Sequence, residues 1–287
     1  MTTTAATRES SSWLVRGYGW LVSAVMVFFV GNVALLIAAV GVNSFAQRWL
    51  GSWLPEGWTS AWYASAWKEF QLGSVLWVTF EVVAAVVGVA VLLGVPAAYV
   101  LARREFPAKK WLMLLFLLPL MVPPITYGIP LATLMYRVGL AGTLYGVVLA
   151  NLIPTVPFVI LVMTPFIEQI DTNLESAARV LGAGTGRMFV HVLVPLLAPG
   201  ILAAALLVIV RTMAMFELTF LVAGSDSQTL VVALYYAVFA AGVRAPQSVD
   251  AMAMVYMLIT LAWLAIALRF VNPTQLVSRV KEHSDQG

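Results

Sequence analysis

The sequence predicts an all-α polytopic membrane protein with six transmembrane helices, and three observations carry that prediction. Of 287 residues, 62% are hydrophobic and only 10% charged, against roughly 45–50% and about 25% in a soluble domain. The apolar residues form runs rather than stripes. No charge lies between Arg16 and Arg48, or from Val82 to Ala102, Trp111 to Tyr136, Val138 to Ile167, Met188 to Val210 and Ala251 to Leu268. Each run meets the length, about 18 residues or more, that crosses a bilayer as a helix. Third, the basic residues fall in alternate connecting loops, the pattern of a chain threaded back and forth through a membrane.

Taken in order, the spans are read at roughly 18–42, 74–102, 111–136, 143–166, 195–222 and 250–270. All are helical, because backbone exposed to lipid must satisfy its own hydrogen bonds. They form a transmembrane domain over 18–271, between an N-terminal tail (1–17) and a C-terminal tail (272–287), both expected in the cytoplasm. The first span is too long for a signal-peptide core and no small-residue cleavage site stands out, so it is kept as a helix. With the N-terminus inside, the inner segments hold Arg8, Arg16, Arg103, Arg104, Lys109, Lys110, Arg179, Arg187, Arg269, Arg279 and Lys281. The outer loops hold only Arg48, Lys68, Arg137 and Arg244. Segment 229–243 competes for a seventh span, but crossing there would throw Arg269, Arg279 and Lys281 outside. It is expected as an outer interfacial or re-entrant helix.

Composition also limits the chemistry. With no Cys and two His, His191 and His283, the chain has no disulfide, no thiolate nucleophile and no His/Cys metal cluster. The net charge of +3 reads as topology, not as affinity for nucleic acid. The first outer loop carries Trp49, Trp53, Trp58, Trp62 and Trp67, which suit an interfacial belt or a docking surface for an extracytoplasmic partner.

Two spans depart from ordinary helix. The third places Pro119, Pro123, Pro124 and Pro130 within twelve residues, so it must kink or unwind. The fourth repeats the theme with Pro154, Pro157 and Pro165. Irregular backbone at membrane depth is tolerated inside a bundle or along an aqueous cavity, so these prolines are packing kinks or pathway lining. Three ionisable residues also lie inside spans: Glu81 in the second, Arg211 and Glu217 in the fifth. Each costs about 2.5–3.5 kcal/mol at the bilayer centre and needs a partner or water. Six residues apart, Arg211 and Glu217 face different sides of a helix. Either an interhelical ion pair forms, for example Arg211 with Glu81, or these groups line a solute pathway beside Tyr127 and Phe216.

The longest inner loop, 168–195, carries the functional reading. Thr172 and Glu175 have the spacing of a capping box, Ala177 and Ala178 are helix formers with a small docking face, and Gly182 is a stop. So short a helix needs a surface to pack on. After Ala183–Gly186 a second amphipathic stretch runs to Val194, and Pro195 opens the fifth span, so a push on the first helix reaches the membrane. The glycines do not make a phosphate loop: GAGTGR lacks the G-x-x-x-x-G-K-[ST] pattern and follows no strand.

This loop resembles the EAA loop of the inner-membrane permease subunits of binding-protein-dependent (type I) ABC importers. That pattern is E-A-A, three residues, G, nine residues, then I-x-L-P. Here it reads Ser176-Ala177-Ala178, Gly182 and Val192-x-Val194-Pro195. Ser176 stands at the acidic position, with Glu175 one place earlier. The resemblance runs from about Leu72 to Val271 and looks most like the spermidine/putrescine, phosphonate and opine permeases. It implies a MetI-like six-helix permease fold in the bacterial inner membrane, with no catalytic role and no cofactor or metal of its own. Two partner ATP-binding cassette subunits would bind ATP and Mg and dock on the helix from Glu175 to Gly182. A second permease subunit, related or identical, and an extracytoplasmic solute-binding protein complete the expected assembly. An ion-coupled secondary transporter is the alternative, but it calls for inverted repeats and midplane carboxylates, and the two halves show no convincing repeat. A membrane-held receptor or scaffold would need no prolines or charges inside its spans. Glu81 and Glu217 suit a cationic amine, Arg211 a carboxylate or phosphonate, and together they suit a zwitterion.

Overall fold

The computed structural model describes residues 6–49, 52–239 and 244–270, with side chains from residue 18 to residue 269. The C-terminal tail, with His283, Arg279 and Lys281, lies outside the described residues. The chain is helical throughout: α1 (Ala6–Phe45), α2 (Ala61–Glu69), α3 (Leu72–Arg103), α4 (Lys109–Met121), α5 (Pro124–Arg137), α6 (Leu144–Glu168), α7 (Thr172–Val180), α8 (Thr185–Met188), a π-turn (Phe189–Leu193), α9 (Val194–Met213), α10 (Glu217–Val222), α11 (Leu230–Phe239) and α12 (Pro246–Phe270). Among the described residues, five helices are long and apolar enough to cross a membrane. The bent pair α4 and α5 passes the same test together and, taken as one broken span, brings the number to six. The expected six-span all-α architecture is therefore the observed one.

Two compact units divide the chain. One takes in the described residues of 1–66 and 243–254, the other those of 67–242 and 255–287. In the first, the helix of α1 starts at Ala6 and so extends back into the stretch read as an N-terminal tail. Asn43 donates to the Asp250 carboxylate at 2.5 Å. The outer loop folds back as a short antiparallel pairing of Ala46 with Trp58, and Trp62 donates its indole N–H to the Ala46 carbonyl. Trp53 and Trp58 stay exposed.

The second unit is built on α3, α6 and α9, whose core includes Val86, Ala90, Ala98, Ile160, Met163, Leu197 and Ala204. Small residues let the helices approach, as at many helix interfaces in membranes. A Cβ added to Gly94 of α3 would meet Val159 of α6 at 2.6 Å. The third span breaks as its prolines require, with α4 and α5 meeting at 96° around Val122 and Pro123. The fourth does not break: α6 runs unbroken through Pro154, Pro157 and Pro165. Pro154 and Pro157 are buried in it, and packing on α3, α4 and α9 holds the helix against a local preference that would end it.

The fifth span is a correction. The helix expected over 195–222 stops at Met213 and restarts at Glu217. Arg211 and Glu217 thus sit on separate helices, and a facing rule for one continuous helix does not apply. Segment 229–243 provides α11, whose ten residues rise about 15 Å at 1.5 Å each, half of the roughly 30 Å hydrocarbon core. Its start is tied to α3, where the Leu230 N–H donates to Thr79 Oγ1 at 2.8 Å, so it does not span.

Contacts within this unit sort its loops onto two ends. The links after α3 and after α6 meet at one end, where Arg103 touches Glu175. The link after α5 meets the end of α10 at the other, where the Gly142 N–H donates to the Val222 carbonyl.

Candidate functional site

The loop helix α7 is set by three local devices. At its start the Asp171 side chain caps the Asn173 N–H at 2.9 Å. The cap is therefore Asp171, one residue before the Thr172 expected from the capping box. Glu175, freed from that role, turns inward. At its end the Gly182 N–H reaches the Arg179 carbonyl at 2.9 Å and the Ala183 N–H reaches Ala178 at 3.0 Å, a Schellman termination. Gly182 has φ +84°, the left-handed region in which a Cβ is strained.

The expected coupling residues split between two faces of α7. Glu175 and Ala178 are buried, at 7% and 8% exposure. Ser176 and Ala177 face outward, and Ser176 bonds its hydroxyl to the Thr172 carbonyl at 3.2 Å. Of the Ala177/Ala178 pair only Ala177 is therefore exposed. Apolar neighbours join it outside: Leu174 is 45% exposed, and Val180 and Leu181 are each 87% exposed. Those three side chains were not expected, although a polar-flanked Val-Leu pair directly before a helix-ending glycine was the available signal.

Both oxygens of Glu175 are held within the chain. Arg103 Nε donates to Oε1 at 2.7 Å and the Tyr99 hydroxyl to Oε2 at 2.8 Å. Arg103 Nη2 donates in addition to the Ile170 carbonyl at 2.6 Å. Beyond Gly182 the chain passes α8 and enters the π-turn, whose Val194 N–H reaches back five residues to Phe189. Pro195 follows in the first turn of α9, where its missing N–H is tolerated. The loop is therefore joined to the fifth span by continuous helical backbone from Thr185 to Met213.

The second site lies where the fifth span breaks. Tyr127 on α5 packs against the cluster that includes Met215 and Leu218, the residues on either side of Phe216 and Glu217. The Arg211 guanidinium lies 5.2 Å from the centre of the Phe158 ring, a cation–π arrangement. Its Nε is buried without a hydrogen-bond partner among the described residues. The ion pair considered between Arg211 and Glu81 is not formed. Ion pairs join Arg103 to Glu175 and, at the surface, Lys109 to Glu105. Glu81 is half-buried on α3. Phe216 joins an aromatic cluster, stacking on Phe220 at 5.1 Å and contacting Tyr235 at 5.0 Å, with Tyr236 and Phe239 beyond. That cluster was not expected, though F-x-x-x-F and Y-Y-x-x-F are repeats at helical spacing. Asn151, also unforeseen, is fully buried and donates to Thr219 at 3.1 Å, pinning α10 to α6.

A bundle of apolar, span-length helices with a loop helix held at one end and a polar break inside defines a polytopic helical membrane protein. The model of the family described as binding-protein-dependent transport system inner membrane component matches residues 90–281, and the chain belongs to that family. Among curated relatives, the trehalose transport system permease protein SugB of Mycobacterium tuberculosis (strain CDC 1551 / Oshkosh) is 40% identical over 42% of this chain and 44% of its own. The molybdenum transport system permease protein ModB of Haemophilus influenzae (strain ATCC 51907 / DSM 11121 / KW20 / Rd) is 34% identical over 50% of this chain and 69% of its own. The chain spans about half the length of the first curated relatives it matches. A bacterial ABC transporter involved in the import of the acidic polysaccharide alginate has the same fold, with a TM-score of 0.74 at 16% identity over 90% of this chain and 97% of that one.

Proposed function

We propose that this chain is the transmembrane permease subunit of an ATP-driven importer and forms half of a translocation pathway for a small organic solute. The observation that carries the reading is α7: its body is anchored on the bundle while an apolar tip, Leu174, Ala177, Val180 and Leu181, stands in solvent. A monomer gains nothing by exposing such a tip, and a cleft on a separate subunit accounts for it. The partners are two ATP-binding cassette ATPases, which bind ATP and Mg, a second permease subunit and an extracytoplasmic solute-binding protein. Arg103, Arg104, Lys109, Arg179 and Arg187 belong to the segments at the α7 end, which supports a cytoplasmic side, in a bacterial inner membrane, for that end and for both termini. The outer tryptophans form the belt on which the binding protein lands.

The solute passes the break in the fifth span, touching Tyr127, Arg211, Phe216 and Glu217, with Glu81 on the same route. Aromatic faces beside one cation and one carboxylate suit a polar body such as a sugar or a zwitterionic, amino-acid-like solute. The polyamine, phosphonate and opine grouping draws no support from relatives named for trehalose and molybdenum.

The test is assembly. In membranes containing this chain with its ATPase subunits, Val180→Asp with Leu181→Asp is expected to abolish co-purification of the ATPases while the chain still inserts. ATPases retained at the unaltered level would overturn the docking role of α7.

A further inference from the structure

We infer that the buried Glu175–Arg103 pair, seconded by Tyr99, carries the stroke of α7 into α3, so that the loop drives two spans and not only the fifth. This rests on the coupling role proposed for α7, and it assigns Glu175, Arg103 and Tyr99 as positioning residues.

Two connections leave α7. One is backbone, through Gly182, α8 and the π-turn to α9. It passes Gly182 and Gly184, where a Cβ would find nothing within 4 Å and so no neighbouring side chain braces the backbone, before helix resumes at Thr185. The other is made of side chains and is taut. Arg103, on the last turn of α3, spans 72 positions of sequence to bind Glu175, and its second nitrogen holds the Ile170 carbonyl in the turn that leads into α7. Two different points of the loop are thus fixed to one guanidinium, whose planar fork resists rotation. Tyr99, one turn earlier on α3, closes the remaining carboxylate oxygen and sets its ring edge-on to Phe189 at 5.4 Å, at the first residue of the π-turn. The same end of α3 therefore grips both the loop helix and the root of the fifth span.

Burial gives the pair its function. The two side chains are 12% and 9% exposed, so water does not compete for the bonds, and pulling them apart leaves an uncompensated charge. A buried pair adds little net stability over an apolar replacement; what it adds here is a connection that cannot slide. The outward position of the motif holds Ser176, and the nearest acidic group is spent inside the chain on α3.

The chain has no Cys, so single thiols report without background from it. The full-length chain, assembled with its partner subunits made cysteine-free, is reconstituted in phosphatidylethanolamine/phosphatidylglycerol vesicles. A solvatochromic label is placed on α3 at Gly88→Cys, an open position, or on α9 at Leu202→Cys, 54% exposed. Trapping with ATP and vanadate shifts both labels in the parent. Glu175→Gln is expected to shrink the α3 response about fivefold or more, within the usual range of site-to-site coupling, and to leave the α9 response in place. An unchanged α3 response, or equal loss at both labels, would overturn the inference, the second because the pair then only holds the fold. Silence of both labels in the parent would remove the coupling role of α7 itself, and this inference with it. Should Glu175→Gln fail to assemble, Glu175→Cys with Arg103→Cys joined by a short bis-thiol reagent takes its place. A label response on α3 that appears only after joining supports the connection, and its absence after joining overturns it.

Discussion

Two arginines of one bundle meet opposite fates. Arg103 has Nε on Glu175 and Nη2 on the Ile170 carbonyl, whereas Arg211 has a buried Nε with no partner and an aromatic ring beneath its charge. Both sit in the last turn of a helix, Arg103 on α3 and Arg211 on α9, and a lone charge becomes costly as it nears the bilayer centre. The first is a finished piece of structure. The second keeps one buried nitrogen without a partner. The satisfied charge belongs to the framework, and the unsatisfied one is the group proposed above to meet the solute.

The contrast can be broken by mutation. Arg103→Ala leaves the Glu175 carboxylate buried without its countercharge, held only by the Tyr99 hydroxyl, and is expected to cost about 3–5 kcal/mol. It should appear as a large loss of folded protein in a detergent thermal-stability assay. Arg103→Met with Glu175→Leu should recover much of that loss, since an apolar pair of similar volume is tolerated. If the double variant were as unstable as the single one, the pair would not be acting as a pair. Next in size is Gly182→Val. The left-handed backbone there penalises a side chain by about 1–2 kcal/mol, enough to fray the end of α7. Partner ATPase binding should weaken while the spans keep their melting behaviour, and ordinary binding would show that the termination does not set the tip.

Arg211→Met is expected to move stability the other way or not at all. It deletes a buried, unpartnered donor, the kind of group whose burial costs about 1–3 kcal/mol. Solute uptake should fall or change preference in the same variant. A clear loss of thermal stability with normal uptake would make Arg211 framework like Arg103. The smallest effect belongs to Glu105→Gln, which removes a surface pair with Lys109 whose carboxylate is 88% exposed. Stability should stay within about 0.5 kcal/mol, as for most surface changes, when measured in parallel with the others.

The spans were legible because hydrocarbon selects for length and apolarity, both read directly from composition. The bend at Val122 and Pro123 was equally legible, since proline acts locally. The prolines of α6 show the limit of that rule, because packing on three neighbours keeps one helix through Pro154, Pro157 and Pro165. The break at Ala214–Phe216 was invisible, for Thr212-Met213-Ala214-Met215-Phe216 contains neither Pro nor Gly. At the coupling loop, spacing located Gly182 and Pro195 correctly but mistook what Glu175 does. A capping pattern sees four residues, and the partner of Glu175 lies 72 residues away. Ser176 stands at the motif's acidic position, and that Glu175 one place earlier turns inward to Arg103 could not be read from the motif.

The π-turn at Phe189–Leu193 contains one residue more than an α-helical path would need. On a helix each residue advances the azimuth by about 100°, so that surplus residue sets the angular phase between everything before it and α9. Deleting it would leave each local sequence almost unaltered and yet swing the origin of α9 by more than a quarter turn relative to α7. The orientation of Leu174 and Leu181 relative to the fifth span is thus encoded by a count, and an insertion or deletion in this short stretch is a rotation.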